Sequence, residues 1–115
     1  MRYRNTVAAV ACALAAAFCF PASAHAAEGD FIYRYVGEYG SHEIGGLVDP
    51  PSRECITLPE VSDPDETEPA FAPLNDTNAT ATVFTGVGCD GDYYTLRPNG
   101  GHASERLKLR SVVFS

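Results

Sequence analysis

Thr80-Ala-Thr-Val-Phe-Thr-Gly-Val-Gly-Cys-Asp-Gly-Asp-Tyr-Tyr-Thr-Leu-Arg-Pro98 is the stretch on which the fold turns. Residues 80–85 alternate small or polar with apolar side chains, as a half-buried strand does. Residues 86–91 hold three glycines and must turn, and residues 92–97 are extended again until Pro98 stops them. Two β-rich runs separated by a glycine-rich turn form a hairpin.

The rest of the chain repeats this chemistry. Phe31-Ile-Tyr-Arg-Tyr-Val36 predicts a strand with Phe31, Tyr33 and Tyr35 on one face, and residues 37–54 read as a loop with one short strand near 43–48. Glu54-Cys-Ile-Thr-Leu58 is a further strand, ended by Pro59. Residues 60–73 carry Glu60, Asp63, Asp65, Glu66 and Glu68, three prolines and no base, which predicts an exposed acidic loop over 60–74. Asn99-Gly100-Gly101 marks another turn. Leu107, Leu109, Val112 and Phe114 give a last strand whose apolar phase slips by one residue, so a bulge or bend is expected near Arg110-Ser111. Outside the N-terminal segment no apolar period of 3.6 residues persists, and the fold class expected is all-β.

The N-terminus reads as an export signal. Arg2 and Arg4 precede an Ala-rich apolar run over residues 6–20, and Pro21-Ala-Ser-Ala-His-Ala26 offers small-residue cleavage sites after Ala24 and after Ala26, the second being favoured. An apolar run of about 15 residues falls short of the roughly 20 a spanning helix needs. The organisation expected is a Sec signal at 1–26, an N-terminal strand and loop at 27–53, and a β domain at 54–115. A chain of 115 residues has room for one small domain, not for a Rossmann or barrel enzyme. With the leader gone, six of the eight Lys and Arg remain against 15 Asp and Glu, a net charge of −9. Nucleic acid and anionic membranes are repelled by such a chain, so the expectation is a secreted, extracellular monomer with neither as a partner.

Cys12 and Cys19 leave with the signal, and Cys55 and Cys89 are expected to form a disulfide in an oxidising compartment. No Cys-x-x-Cys and no suitably spaced His supports a redox or metal site. The glycines Gly86, Gly88 and Gly91 spell G-x-G-x-x-G, but a strand follows where a nucleotide site needs a helix, so they read as turn residues. His42-Glu43 begins like a zinc-protease motif, yet Gly46 stands where the second His belongs. An EF-hand starting at Asp63 would have Glu68 at the glycine position and Leu74 at the terminal acid, and so fails. Ser41 with His42, or Ser104 with His102, has no supporting motif. Asn75-Asp-Thr77 and Asn78-Ala-Thr80 are glycosylation sequons that matter only in a eukaryotic host. No catalytic residue, cofactor or metal is assigned, and the chain is not expected to be an enzyme. Arg97, Arg106, Lys108 and Arg110 make the C-terminal strands basic, read as a solvated face that pairs with the acidic loop.

Phe84-Thr-Gly-Val-Gly-Cys89-Asp-Gly91 has the spacing of the βγ-crystallin Greek-key signature, with Cys89 in place of the second aromatic and Ser111-Val-Val-Phe matching the later Ser-containing strand. With Cys55-Ile-Thr-Leu-Pro59 upstream, the chain resembles small secreted bacterial βγ-crystallin-like proteins grouped with the crystallin-type metalloproteinase inhibitors. The resemblance covers residues 54–115. It implies a small Greek-key sandwich with one disulfide, in which Gly91 permits the folded hairpin and Ser111 ties it to a neighbouring strand. Arg106-Leu-Lys-Leu-Arg110 stands where calcium-binding crystallins carry an Asn/Asp pair, and the inhibitors tend to have two disulfides where this chain can make one. The function expected is a non-enzymatic binding or structural module of the cell exterior, its partner a secreted or cell-surface protein. The first alternative is an inhibitor of an extracellular protease acting through residues 60–74. The second is a small secreted hydrolase or toxin.

Overall fold

The computed structural model describes residues 26–115, so the leader expected at 1–26 lies outside the described residues but for Ala26. Nine strands follow in order: β1 (Gly29–Val36), β2 (His42–Val48), β3 (Ile56–Thr57), β4 (Ala70–Thr77), β5 (Ala81–Phe84), β6 (Tyr93–Leu96), β7 (Gly101–His102), β8 (Lys108–Leu109) and β9 (Ser111–Phe114). Short 3-10 turns occupy Pro59–Val61 and Val87–Cys89. The fold is all-β. One sheet has the order β2-β1-β4-β7, with β8 also on β4, and the other has the order β3-β9-β5-β6, every pair being antiparallel.

The two halves of the chain follow the same route. β1 and β2 form a hairpin, β3 crosses to the other sheet, and β4 returns beside β1; β5 and β6 form a hairpin, β7 crosses, and β9 returns beside β5. Residues 27–53 therefore share one sheet with strands from 54–115, and the boundary expected at residue 53 separates nothing structurally.

The core lies between the sheets. Phe31 and Tyr33 of β1 share one buried cluster with Val83, Leu96, Val112 and Phe114 of the other sheet, the Phe31 and Phe114 rings meeting edge to face at 5.4 Å. Each such side chain contributes about 1.5–3 kcal/mol by leaving water. The expected hairpin pairs Ala81 with Leu96 through Phe84 with Tyr93. The expected bend is where the chain changes sheets: Leu109 ends in the first, Ser111 begins in the second, and Arg110 sits between them. β3 is shorter than residues 54–58, although Arg53 N–H to Phe114 O and Leu58 N–H to Arg110 O, 2.8 and 2.9 Å, continue its ladder.

The acidic loop is smaller than expected. Val61 is buried, and residues 70–74 belong to β4, so the exposed acidic segment is 62–69. Pro73 enters a strand because the β4 register against β1 slips there: Ile32 faces Leu74 while Arg34 faces Phe71, leaving Ala72 and Pro73 opposite Tyr33 alone. Ala72 takes φ 51° in this bulge, where a residue without an N–H is tolerated.

Candidate functional site

The residues singled out by sequence meet at the β5–β6 turn. Cys55 and Cys89 are bridged, with Cα atoms 5.9 Å apart. The Ser111 hydroxyl donates to Gly86 O at 2.6 Å and accepts from Cys89 N–H at 2.8 Å, tying β9 to the turn. Gly88 N–H donates to Thr57 Oγ1 at 3.0 Å. Gly91 has φ 91°, and a Cβ there would lie 2.4 Å from Thr85 Oγ1, so only glycine closes the hairpin. Phe84 stacks at a tilt on Tyr93, 6.1 Å between rings. The Ser111 hydroxyl and the Cys89 and Gly88 amides are all bonded to other parts of the chain, which makes this turn a structural knot.

Arg110 is not on a solvated face. It is 9% exposed, and its guanidinium donates to Val61 O (3.1 Å), Thr67 O (2.8 Å) and Thr67 Oγ1 (3.3 Å). The acidic segment is thus held by backbone carbonyls on a buried cation rather than by ion pairs. Inside it, Asp63 O accepts from the amides of Glu66 and Thr67, and Asp63 Oδ1 accepts from Asp65 N–H. The segment is a fixed, curled turn with its carboxylates outward.

Ser41 donates to Glu43 Oε2 at 2.9 Å, while the His42 ring packs on Phe71 at 5.1 Å. His102 Nδ1 meets Gly100 O, and Ser104 Oγ accepts from Arg106 N–H. Neither serine bonds to its neighbouring histidine. Among the described residues no group of three His, Cys, Asp or Glu is placed to hold a metal ion, and no helix is long and apolar enough to cross a membrane.

Asn75 reads in the sequence only as part of a turn and a sequon, yet it is fully buried in β4. Its Nδ2 donates toward Ala79 O (2.7 Å), Arg97 O (3.0 Å) and Leu96 O (3.3 Å), and its Oδ1 accepts from the Thr77 hydroxyl at 2.7 Å. It joins β4 to the ends of the second hairpin. Asn78, by contrast, is exposed and accepts from Glu28 N–H.

A groove of about 760 Å³ lies between the β1–β2 turn and the acidic segment. Its walls carry Tyr35, Tyr39, Glu38, Glu43, Glu60, Glu66 and Glu68, with no Lys or Arg. Tyr39 is 92% exposed at the rim. Glu60 is fixed from below: the Tyr33 hydroxyl donates to its Oε1 at 2.6 Å. Burial, then that bond, push the Tyr33 phenol far above its ordinary range. Gly45 makes this possible, since a Cβ there would fall 2.6 Å from the Tyr33 ring. Carboxylates beside the exposed Tyr39 ring suit an ammonium or guanidinium group, through charge and cation–π attraction together.

No family model, no curated protein and no solved structure matches this chain.

Proposed function

We propose that the protein is a small, exported, non-catalytic binding module, a double Greek-key sandwich of the βγ-crystallin kind, whose groove takes cationic groups of an extracellular partner. The observation that carries the function is the groove itself: five glutamates and two tyrosines around about 760 Å³. The crystallin-like reading is supported by the repeated strand route of the two halves, by Gly91 at positive φ, and by the Ser111 bond to the hairpin turn. Export is supported by the leader sequence, and the Cys55–Cys89 bridge suits an oxidising compartment.

The test is calorimetric binding of an Arg- and Lys-rich peptide, with a Glu-rich peptide as control. The cationic peptide binds with an affinity that falls as salt is raised, and Glu43→Gln with Glu66→Gln weakens it. Equal behaviour of both peptides overturns the reading.

A second reading, inhibition of a metalloprotease by residues 62–69, is favoured by one observation: Arg110 pins the segment before any target arrives, which lowers the entropy cost of binding. Its curled shape fits an exosite better than a cleft built for extended substrate. An inhibition constant against a thermolysin-type protease decides it, sub-micromolar inhibition lost in Arg110→Leu being the supporting result.

A further inference from the structure

β2 is an edge of its sheet, long and regular, and Glu43 is its one acidic or basic side chain apart from His42. Among the described residues it pairs only with β1, in a register that runs without a slip from Asp30–Val48 to Val36–His42. It has no Pro, no Lys and no bulge, whereas β3 and β7, at other edges, are two residues long. On its outer face Ile44 and Val48 are 71% and 73% exposed.

The direction of its unpaired backbone groups follows from the ladder. Gly37 N–H donates to Ser41 O at one end of the hairpin and Asp49 N–H to Gly29 O at the other, both at 2.8 Å. In an antiparallel pair bonded and non-bonded positions alternate. Glu43, Gly45 and Leu47 therefore bond to β1, and His42, Ile44, Gly46 and Val48 present their N–H and C=O groups outward.

We propose that β2 pairs with β2 of a second copy of this chain, antiparallel about a two-fold axis at Gly45, joining two sheets into one. This register sets Ile44 opposite Gly46 and His42 opposite Val48 of the other copy, each a bonded pair, and uses the whole strand. It is also the register the charges permit. Glu43 then faces Leu47 of the other copy. Sliding by one bonded step toward the C-terminus would put Glu43 opposite Asp49, two carboxylates together, and Pro50 where a donor is needed; sliding the other way runs β2 into the β1–β2 turn. The exposed Ile44 lies over a glycine, where there is room for it, and such an isologous contact closes at two chains.

The test is sedimentation equilibrium with amide hydrogen exchange on the purified chain, its N-terminus fixed by intact mass. The sedimenting mass shifts from one chain to two as concentration rises, and over the same range the amides of His42, Ile44, Gly46 and Val48 become protected. Those of Glu43, Gly45 and Leu47 are protected throughout. Added salt strengthens the association, because two acidic chains are being screened, the opposite of its effect on cationic peptide binding. Ile44→Lys with Val48→Lys returns the mass to one chain and the four outward amides to fast exchange. A single-chain mass at every concentration overturns the proposal, and so does a dimer whose outward amides stay unprotected. Should the double variant fail to fold, the amide pattern of the unaltered chain still decides.

Discussion

Replacing Asn75 by Asp changes one NH₂ for an oxygen of nearly the same size, at a position with no exposure. In the native chain that NH₂ faces three carbonyl oxygens, those of Ala79, Leu96 and Arg97, at 2.7–3.3 Å. At neutral pH the substitution removes both donors and sets a buried carboxylate against the same three oxygens. Breaking a buried charge pair costs about 3–5 kcal/mol, and an orphaned buried carboxylate belongs in that range. The sign of the pH dependence follows. Burial among acceptors raises the introduced carboxyl above its unfolded value of about 3.9, so the folded state holds the proton longer. The variant is then least impaired below about pH 4, where the neutral acid still donates one bond, and loses stability as pH rises, by at most about 1.4 kcal/mol per unit. Urea unfolding of the native chain and of Asn75→Asp at about pH 3.5, 5 and 7 measures this, with Asn75→Ala as a pH-independent control costing about 2–3 kcal/mol. A deficit for Asn75→Asp below about 1 kcal/mol at pH 7, or one that is flat with pH, would refute the network as described.

Three further outcomes are expected. Reducing the Cys55–Cys89 bridge lowers unfolding free energy by about 3–4 kcal/mol, read from denaturant midpoints with and without reductant. Gly91→Ala costs about 2–4 kcal/mol in the same assay, because it adds both positive-φ strain and the 2.4 Å approach to Thr85 Oγ1; Gly88→Ala, at φ 65° with open space around it, costs only the strain, about 1–2 kcal/mol. Tyr33 is protonated in the fold well beyond the 10.0 at which an unperturbed phenol ionises. Its contribution is complete below about pH 10 and is lost as pH rises from there, since the unfolded chain ionises first. Thermal melts between about pH 8 and 11 therefore fall more steeply for the native chain than for Tyr33→Phe.

Features that depend on local pattern are legible in the sequence. The β5–β6 hairpin, the aromatic face of β1 and the bend near Arg110 each leave a signal within a few residues, and the bridge, though 34 positions long, follows from there being only two cysteines after residue 26. β4 leaves none. Its first half continues an acidic, proline-rich run, Pro73 argues against a strand, and only a slipped register with Ala72 at positive φ admits it. Asn75 and Arg110 look like surface residues because their side chains are polar, and their burial depends on carbonyl groups more than 20 and more than 40 positions away in the chain. The groove is illegible for the same reason: it brings the 35–43 hairpin against Glu60 and residues 66–68, and no window of sequence contains both. Ser111 is legible because its partner turn carries a recognisable spacing, although the bond itself spans 25 positions.

The proposed binding of a cationic partner in this groove is open to direct observation. The most direct measurement is an NMR titration of the isotope-labelled chain with an Arg- and Lys-rich peptide, following backbone amides residue by residue. Binding in the groove gives shifts confined to residues 35–43, Glu60 and residues 66–68, reduced in Glu43→Gln with Glu66→Gln. An unchanged spectrum, or shifts centred on the basic residues Arg97, Arg106 and Lys108 instead, would contradict it.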